Sequence, residues 1–178
     1  SKIIVKNEKY NGNMDFSSYP FELSDFQKHS LVSIENAANT LVCAPTGSGK
    51  TLVAEHIMKL YKSRGKRVIY TSPIKTLSNY LFKTFKQKYP EISIGILTGD
   101  IKFNPDADVV IMTTEILRNL LYNKKIKSAQ IELTIEIDVY SDIGAVIFDE
   151  VHYISDKGRG TVWEQCLILL PPKIQLVM

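Results

Sequence analysis

Residues 41–57, LVCAPTGSGKTLVAEHI, constrain the fold more than any other stretch of this chain. An apolar run ends at Ala44, a loop containing Gly47 and Gly49 follows, and Lys50-Thr51 opens a segment whose apolar positions Leu52, Val53, Ile57 and Leu60 keep helical spacing. A strand that delivers such a loop onto a helix N-terminus is a phosphate cradle. Its backbone N–H groups converge on anionic oxygens, and the helix adds its partial positive charge. In this reading Pro45, Thr46, Gly47, Ser48, Gly49, Lys50 and Thr51 surround a bound ATP. Lys50 reaches the β and γ phosphates and the Thr51 hydroxyl ligates Mg²⁺. The full pattern, G-x-x-x-x-G-K-[ST], has glycine where this chain has Ala44, which the loop tolerates if residue 44 keeps negative φ.

The remainder of the chain supports the same architecture. Apolar β-rich runs fall at Thr40 to Cys43, Val68 to Thr71, Ile92 to Leu97, Val109 to Thr113, Ala145 to Phe148 and Ile174 to Met178. Amphipathic stretches lie between them, at Asp25 to Asn36, Lys50 to Ser63, Thr76 to Lys88, Glu115 to Tyr122 and Thr161 to Leu170. Near-continuous apolar strands separated by helices predict a mostly parallel sheet with helices on both faces, because a parallel crossover needs a helix-length connection. The fold class is therefore α/β, a single doubly wound domain. In such sheets ligands gather outside the carboxyl ends of the strands.

Composition sets wide limits. The chain has 178 residues, 44% of them apolar and 23% charged, enough for one buried core. A net charge of +3 permits contact with phosphate backbones without arguing for it. Cys43 and Cys166 show no metal-site or disulfide spacing, and Cys43 is expected to be a small core residue. No run of about 18 apolar residues and no secretory leader is visible, so no membrane role is expected and the chain reads as intracellular, in cytoplasm or nucleus.

Two adjacent acids, Asp149 and Glu150, follow the apolar run Ala145 to Phe148 in "FDEVHYISDKGRG". Alone, DEVH is compatible with an ordinary strand-to-loop transition. Beside a phosphate cradle the two carboxylates acquire separate roles: Asp149 holds Mg²⁺ from the strand end, and Glu150 polarises the attacking water as general base.

The pair "APTGSGKT" and "DEVH" resembles motifs I and II of superfamily 2 helicases, and further segments extend the likeness. "FELSDFQ" (Phe21 to Gln27) resembles the adenine-recognition Q motif, which implies that Phe21 stacks on the base and Gln27 bonds its edge. "SPIKTLSN" (Ser72 to Asn79) is similar to motif Ia, "LTGD" (Leu97 to Asp100) to motif Ib and "TTEILRNLLY" (Thr113 to Tyr122) to motif Ic. "FDEVHYISDKGRGTVWEQ" resembles the superkiller-type DExH RNA helicases that feed RNA to the exosome. The likeness spans Phe21 to Met178. It implies the first RecA-like domain of an ATP-driven RNA unwinding motor, with single-stranded RNA or an RNA duplex as substrate and an RNA-degradation or RNA-processing complex as partner. Carried over by motif, Pro73, Lys75, Thr98, Gly99, Thr114 and Arg118 would hold one strand by its phosphates, and His152 would link the ATP site to motif III. Individually these residues have plainer readings: Thr98-Gly99 as a turn, Arg118 as a solvated helix face, His152 as a hydrogen-bonded surface histidine. Trp163 is read as core and His56 as structural.

Three stretches lie outside the motifs. Ser1 to Pro20 reads as an extension that wraps loosely over the fold or is partly disordered. Ile131 to Tyr140 alternates apolar and polar residues with period two, as a half-buried strand that either blocks sheet pairing or meets a partner. The chain ends at Met178 inside an apolar run, so it reads as a piece of a longer protein. Motif III and the second RecA-like domain, with its arginine finger, would lie beyond it. Two other functions share the features: a DNA translocase of the same superfamily, and a nucleotide-gated binding module without productive hydrolysis.

Overall fold

The computed structural model describes residues 3–45, 47–125, 141–155 and 158–178. Ser24 opens α1 (Asp25–Glu35) with a local cap: the Gln27 Oε1 accepts hydrogen bonds from the Ser24 N–H at 2.9 Å and the Ser24 hydroxyl at 3.0 Å. The loop 44–49 follows and leads into α2 (Thr51–Ser63), whose buried Val53, Ala54, Ile57, Met58 and Tyr61 form one stripe. From there the chain alternates β1 (Arg67–Ser72), α3 (Lys75–Lys88), β2 (Ile94–Leu97), β3 (Lys102–Phe103), β4 (Val109–Thr113), α4 (Thr114–Lys125), β5 (Ile143–Phe148), α5 (Arg159–Leu169) and β6 (Gln175–Val177), with a 3₁₀ turn at Val151–Ser155.

The six strands stand in the order β3-β2-β4-β1-β5-β6. All neighbours pair in parallel except the short β2–β3 hairpin. Period two divides the central strands between two cores. Val68, Tyr70, Val109, Ile111, Ala145 and Ile147 pack towards α2 and α3. Ile69, Val110, Met112, Val146 and Phe148 pack with residues of α4 and α5 on the other face. The mostly parallel α/β sheet expected from the alternation of strands and helices is the one observed. Among the described residues no helix is long and apolar enough to cross a membrane.

Several expectations need adjustment. Thr40 to Cys43 is not a full strand. It runs along the outer side of β6 through bonds from Thr40 N–H to Leu176 O and from Val42 N–H to Met178 O, with one assigned bridge at Thr40. That edge position also corrects the reading of Cys43. Val42 turns towards the core, whereas Leu41 and Cys43 alternate outward and are exposed. Cys166 is buried, and desolvation pushes its thiol up to about 12. The extension holds no helix or strand among its described residues 3–20, but it is tied down. The Tyr10 N–H donates to Asp25 Oδ1 at 2.9 Å, and the Tyr19 hydroxyl lies 2.8 Å from His56 Nδ1. The alternating stretch Ile131 to Tyr140 lies outside the described residues.

Candidate functional site

The strand topology brings the two sequence-predicted halves of a nucleotide site together. Asp149 leaves β5, the loop 44–49 follows the segment beside β6, and both line one cavity of about 720 Å³. Gly47 and Gly49 adopt φ of +79° and +89°, the left-handed region in which glycine is unstrained, while Ala44 stays out of it. Pro45, Gly47, Gly49, Lys50 and Thr51 line the cavity; Ser48 turns its hydroxyl back to Pro45 O at 2.6 Å. Thr46 lies outside the described residues. The Lys50 ammonium is folded onto its own loop, donating to Ala44 O at 2.5 Å and Pro45 O at 3.2 Å. An incoming phosphate would have to take those donors over from two carbonyls. In the first turn of α2 the N–H groups of Leu52 and Val53 donate to Gly49 O at 3.2 Å and Lys50 O at 3.0 Å, so a phosphate would have to take these donors over as well.

The acidic wall is more tightly organised. The Asp149 N–H extends the ladder to Thr71 O at 3.0 Å. Its Oδ1 accepts the Glu150 N–H at 2.9 Å and its Oδ2 accepts the Tyr70 hydroxyl at 2.9 Å. Glu150 has φ +56°, a conformation that costs a non-glycine residue about 1–3 kcal/mol and tends to persist at functional sites. Its Oε2 lies 3.2 Å from His152 Nδ1. Tyr70 is 5% exposed; burial, followed by the adjacent Asp149 charge, holds its hydroxyl well above the usual tyrosine range, so it stays a donor. Sequence reasoning missed this residue. Its signal was a tyrosine inside an otherwise apolar central strand, where a buried hydroxyl must find a partner.

Phe21 and Gln27 are not among the residues lining the cavity. Phe21 is 55% exposed, its ring 6.5 Å from that of Tyr19. Gln27 is buried and donates from Nε2 to Gly49 O at 3.1 Å. A Cβ on Gly49 would stand 2.7 Å from that same Nε2, so the amide packs directly on the loop. With both Oε1 lone pairs taken by Ser24, one Nε2 hydrogen remains for a base edge. His56 joins the Tyr19 hydroxyl to Glu35 Oε1, 2.9 Å away; burial chiefly lowers its pKa, so the ring is held neutral.

Among the described residues no group of three or more His, Cys, Asp or Glu could hold a metal ion. Mg²⁺ delivered with a nucleotide takes one or two protein oxygens and relies on phosphates and water for the rest. Thr51 and Asp149, which both line the cavity, could supply those oxygens.

The six residues nominated for strand binding occupy the neighbouring strand ends. Pro73 and Lys75 follow β1, Thr98 and Gly99 follow β2, Thr114 and Arg118 follow β4. Their exposure differs. Lys75 and Gly99 are exposed, with Lys75 paired to Asp100, and Arg118 is half-buried against Asn119 Oδ1. Thr98 and Thr114 are buried. The Thr98 hydroxyl donates to Asp100 Oδ1 at 3.0 Å, and that of Thr114 to Ser72 O at 3.4 Å. In this structure those two side chains brace the surface and do not present a hydroxyl to it.

The family model described as DEAD/DEAH box helicase matches residues 24–178. Antiviral helicase SKI2 of Saccharomyces cerevisiae is 43% identical over 161 residues, which are 90% of this chain and 12% of that protein. Superkiller complex protein 2 of Homo sapiens is 42% identical over 160 residues, 90% of this chain and 12% of that protein. DExH-box ATP-dependent RNA helicase DExH10 of Arabidopsis thaliana is 40% identical over 173 residues, 97% of this chain and 16% of that protein. Among solved structures, the Mycobacterium smegmatis helicase Lhr bound to ssDNA and AMP-PNP matches with a TM-score of 0.60 and 27% identity, covering 88% of this chain and 22% of that one. The chain thus spans only a small part of the length of the relatives it matches.

Proposed function

The chain belongs to the DEAD/DEAH box helicase family, and from that premise we propose that it is the ATP-binding, RecA-like domain of an ATP-dependent RNA helicase. The observation that carries this reading is the shared cavity, in which the Lys50 loop faces Asp149 and Glu150. On nucleotide binding Lys50 exchanges its two carbonyl partners for phosphate oxygens. Thr51 and Asp149 would hold Mg²⁺, and the ion would supply positive charge against the phosphoryl group. Glu150 accepts the proton of the attacking water, with His152 against its carboxylate. Phe21 and the free Nε2 hydrogen of Gln27 meet the adenine. RNA is the favoured polymer because curated relatives at 40–43% identity include one named as an RNA helicase and a superkiller complex protein. The strand lies over Pro73, Lys75, Thr98, Gly99, Thr114 and Arg118, whose backbone and cationic groups read phosphates without sequence. Assembly into an RNA-degradation complex and an intracellular location, in cytoplasm or nucleus, belong to the same proposal.

ATP hydrolysis by the full-length protein, with and without single-stranded RNA or DNA, tests it. RNA should stimulate turnover, and Lys50→Ala and Glu150→Gln should each lower it by roughly 10² or more. Equal or greater stimulation by DNA would favour a DNA translocase. Nucleotide binding without hydrolysis under any condition would favour a gated binding module. Because an arginine finger supplied by a second domain is worth on the order of 10³ to 10⁵ in rate, residues 1 to 178 alone should bind ATP weakly and unwind nothing measurable.

A further inference from the structure

We propose that Tyr70 is a positioning residue for the metal-side carboxylate, fixing Asp149 through its hydroxyl so that the acid meets Mg²⁺ in one orientation. The inference rests on the reading of Asp149 as the Mg²⁺ carboxylate. Tyr70 and Ile147 are register partners on the adjacent parallel strands β1 and β5. Period two therefore puts Tyr70 on the same sheet face as Asp149, which is two residues beyond Ile147. The ring has little freedom. It meets the edge of Phe85 at 5.2 Å between centroids and 78° between planes, and the residue is 5% exposed. A clamped ring aims its hydroxyl in one direction, and that direction is Asp149 Oδ2, at 2.9 Å.

With Oδ1 taken by the Glu150 N–H, both carboxylate oxygens are anchored, each with a remaining lone pair. The neighbouring general base, Glu150, is thereby tied through its backbone to the same carboxylate. A phenylalanine would fill the Tyr70 position just as well, so packing alone does not explain the hydroxyl. Partners of this kind around metal-side carboxylates orient the ligand, and losing one typically weakens metal binding by roughly 10-fold to 100-fold.

The test measures Mn²⁺ binding by electron paramagnetic resonance to the full-length protein carrying a non-hydrolysable ATP analogue. It compares the parent, Tyr70→Phe, Asp149→Asn and the double variant. Tyr70→Phe is expected to weaken Mn²⁺ binding roughly tenfold, to leave metal-free nucleotide affinity within about twofold, and to add little in the Asp149→Asn background. That lack of additivity is the signature of a residue acting through another. Unchanged Mn²⁺ affinity in Tyr70→Phe, or full additivity with Asp149→Asn, would overturn the proposal. So would an equal loss of metal-free nucleotide binding, which would make Tyr70 a wall of the cradle only. If the parent itself fails to bind the Mn²⁺–nucleotide pair, the nucleotide-site reading falls with it, a distinct outcome from the loss of the Tyr70 effect alone.

Discussion

Along the carboxyl ends of the sheet, the half formed by β5, β6 and the loop 44–49 is built from bonds that can be exchanged. The half formed by β1, β4 and β2 rests on buried bonds that cannot, apart from the exposed Lys75–Asp100 pair. In the first, Lys50 spends its ammonium on two carbonyls of its own loop, and Gln27 reaches that loop. Lys50 is exposed, so a phosphate can replace its carbonyl partners at little net loss. In the second, the hydroxyls of Ser72, Ser78 and Thr114 are buried among themselves. The Thr114 hydroxyl donates to Ser72 O, and the Ser72 and Ser78 hydroxyls share a bond of 2.7 Å. The contrast is what the proposed helicase function would require: one surface that binds and releases a nucleotide, and another that keeps its shape.

The largest effect should come from making the exchangeable half rigid. Gly49→Val would force a β-branched residue to φ +89° and drive its Cβ to 2.7 Å from Gln27 Nε2. Strain of that kind is worth about 1–3 kcal/mol, so nucleotide affinity should fall by roughly tenfold or more. RNA affinity without nucleotide should stay within about twofold. A parallel fall in both, measured by titrating each ligand, would show that the two halves are not separable.

A smaller effect is expected on the other half. Lys75→Ala and Arg118→Ala should each weaken RNA binding alike for all sequences and reduce the salt slope of binding by about 1. The nucleotide affinity of the RNA-free protein should not change. Thr98 and Thr114 provide the sharper comparison, because their buried hydroxyls predict a loss of stability on substitution and not a change of salt slope. A measurable change of slope in Thr114→Val would mean that the surface opens when RNA binds.

How far the sequence could be read follows the same division. The loop 44–49 and the DEVH acids were legible because their chemistry depends on residue type at fixed spacing and on the ends of near-continuous apolar strands. The bond from Tyr70 to Asp149 was not, because it depends on the β1–β5 register, a contact between residues far apart in the chain. The exposure of Cys43 was missed for a related reason: an apolar run does not say whether it lies at the centre or the edge of a sheet, and here it lies outside β6. β3 is two residues long and too short for periodicity. Its one local sign was Gly95, where a Cβ would stand 2.0 Å from the Asn104 carbonyl oxygen, a close backbone approach typical of glycine inside a strand. The burial of Thr98 and Thr114 was equally invisible, since a motif names a residue without saying which way its side chain turns.

The smallest effect should lie behind both halves, on α5. Trp163 packs on Phe148 with ring centroids 4.5 Å apart, just before Asp149, and Cys166 Sγ lies 3.5 Å from Thr114 O. One helix therefore backs the acidic wall and the strand surface together. Trp163 is 1% exposed, and its Nε1 has no hydrogen-bond partner among the described residues. A buried unpaired donor costs about 1–3 kcal/mol, which Trp163→Phe would relieve. The smaller ring would leave a void costing on the order of 1–2 kcal/mol. The two terms nearly cancel, so Trp163→Phe should change stability by about 1 kcal/mol or less, against roughly 3–5 kcal/mol for Trp163→Ala. Both ligand affinities should stay within about twofold. Thermal melts of the full-length protein with each variant provide the check. If Trp163→Phe melts as early as Trp163→Ala, the indole N–H has a partner outside the described residues, and the back wall shared by the two halves is polar where it now reads as apolar.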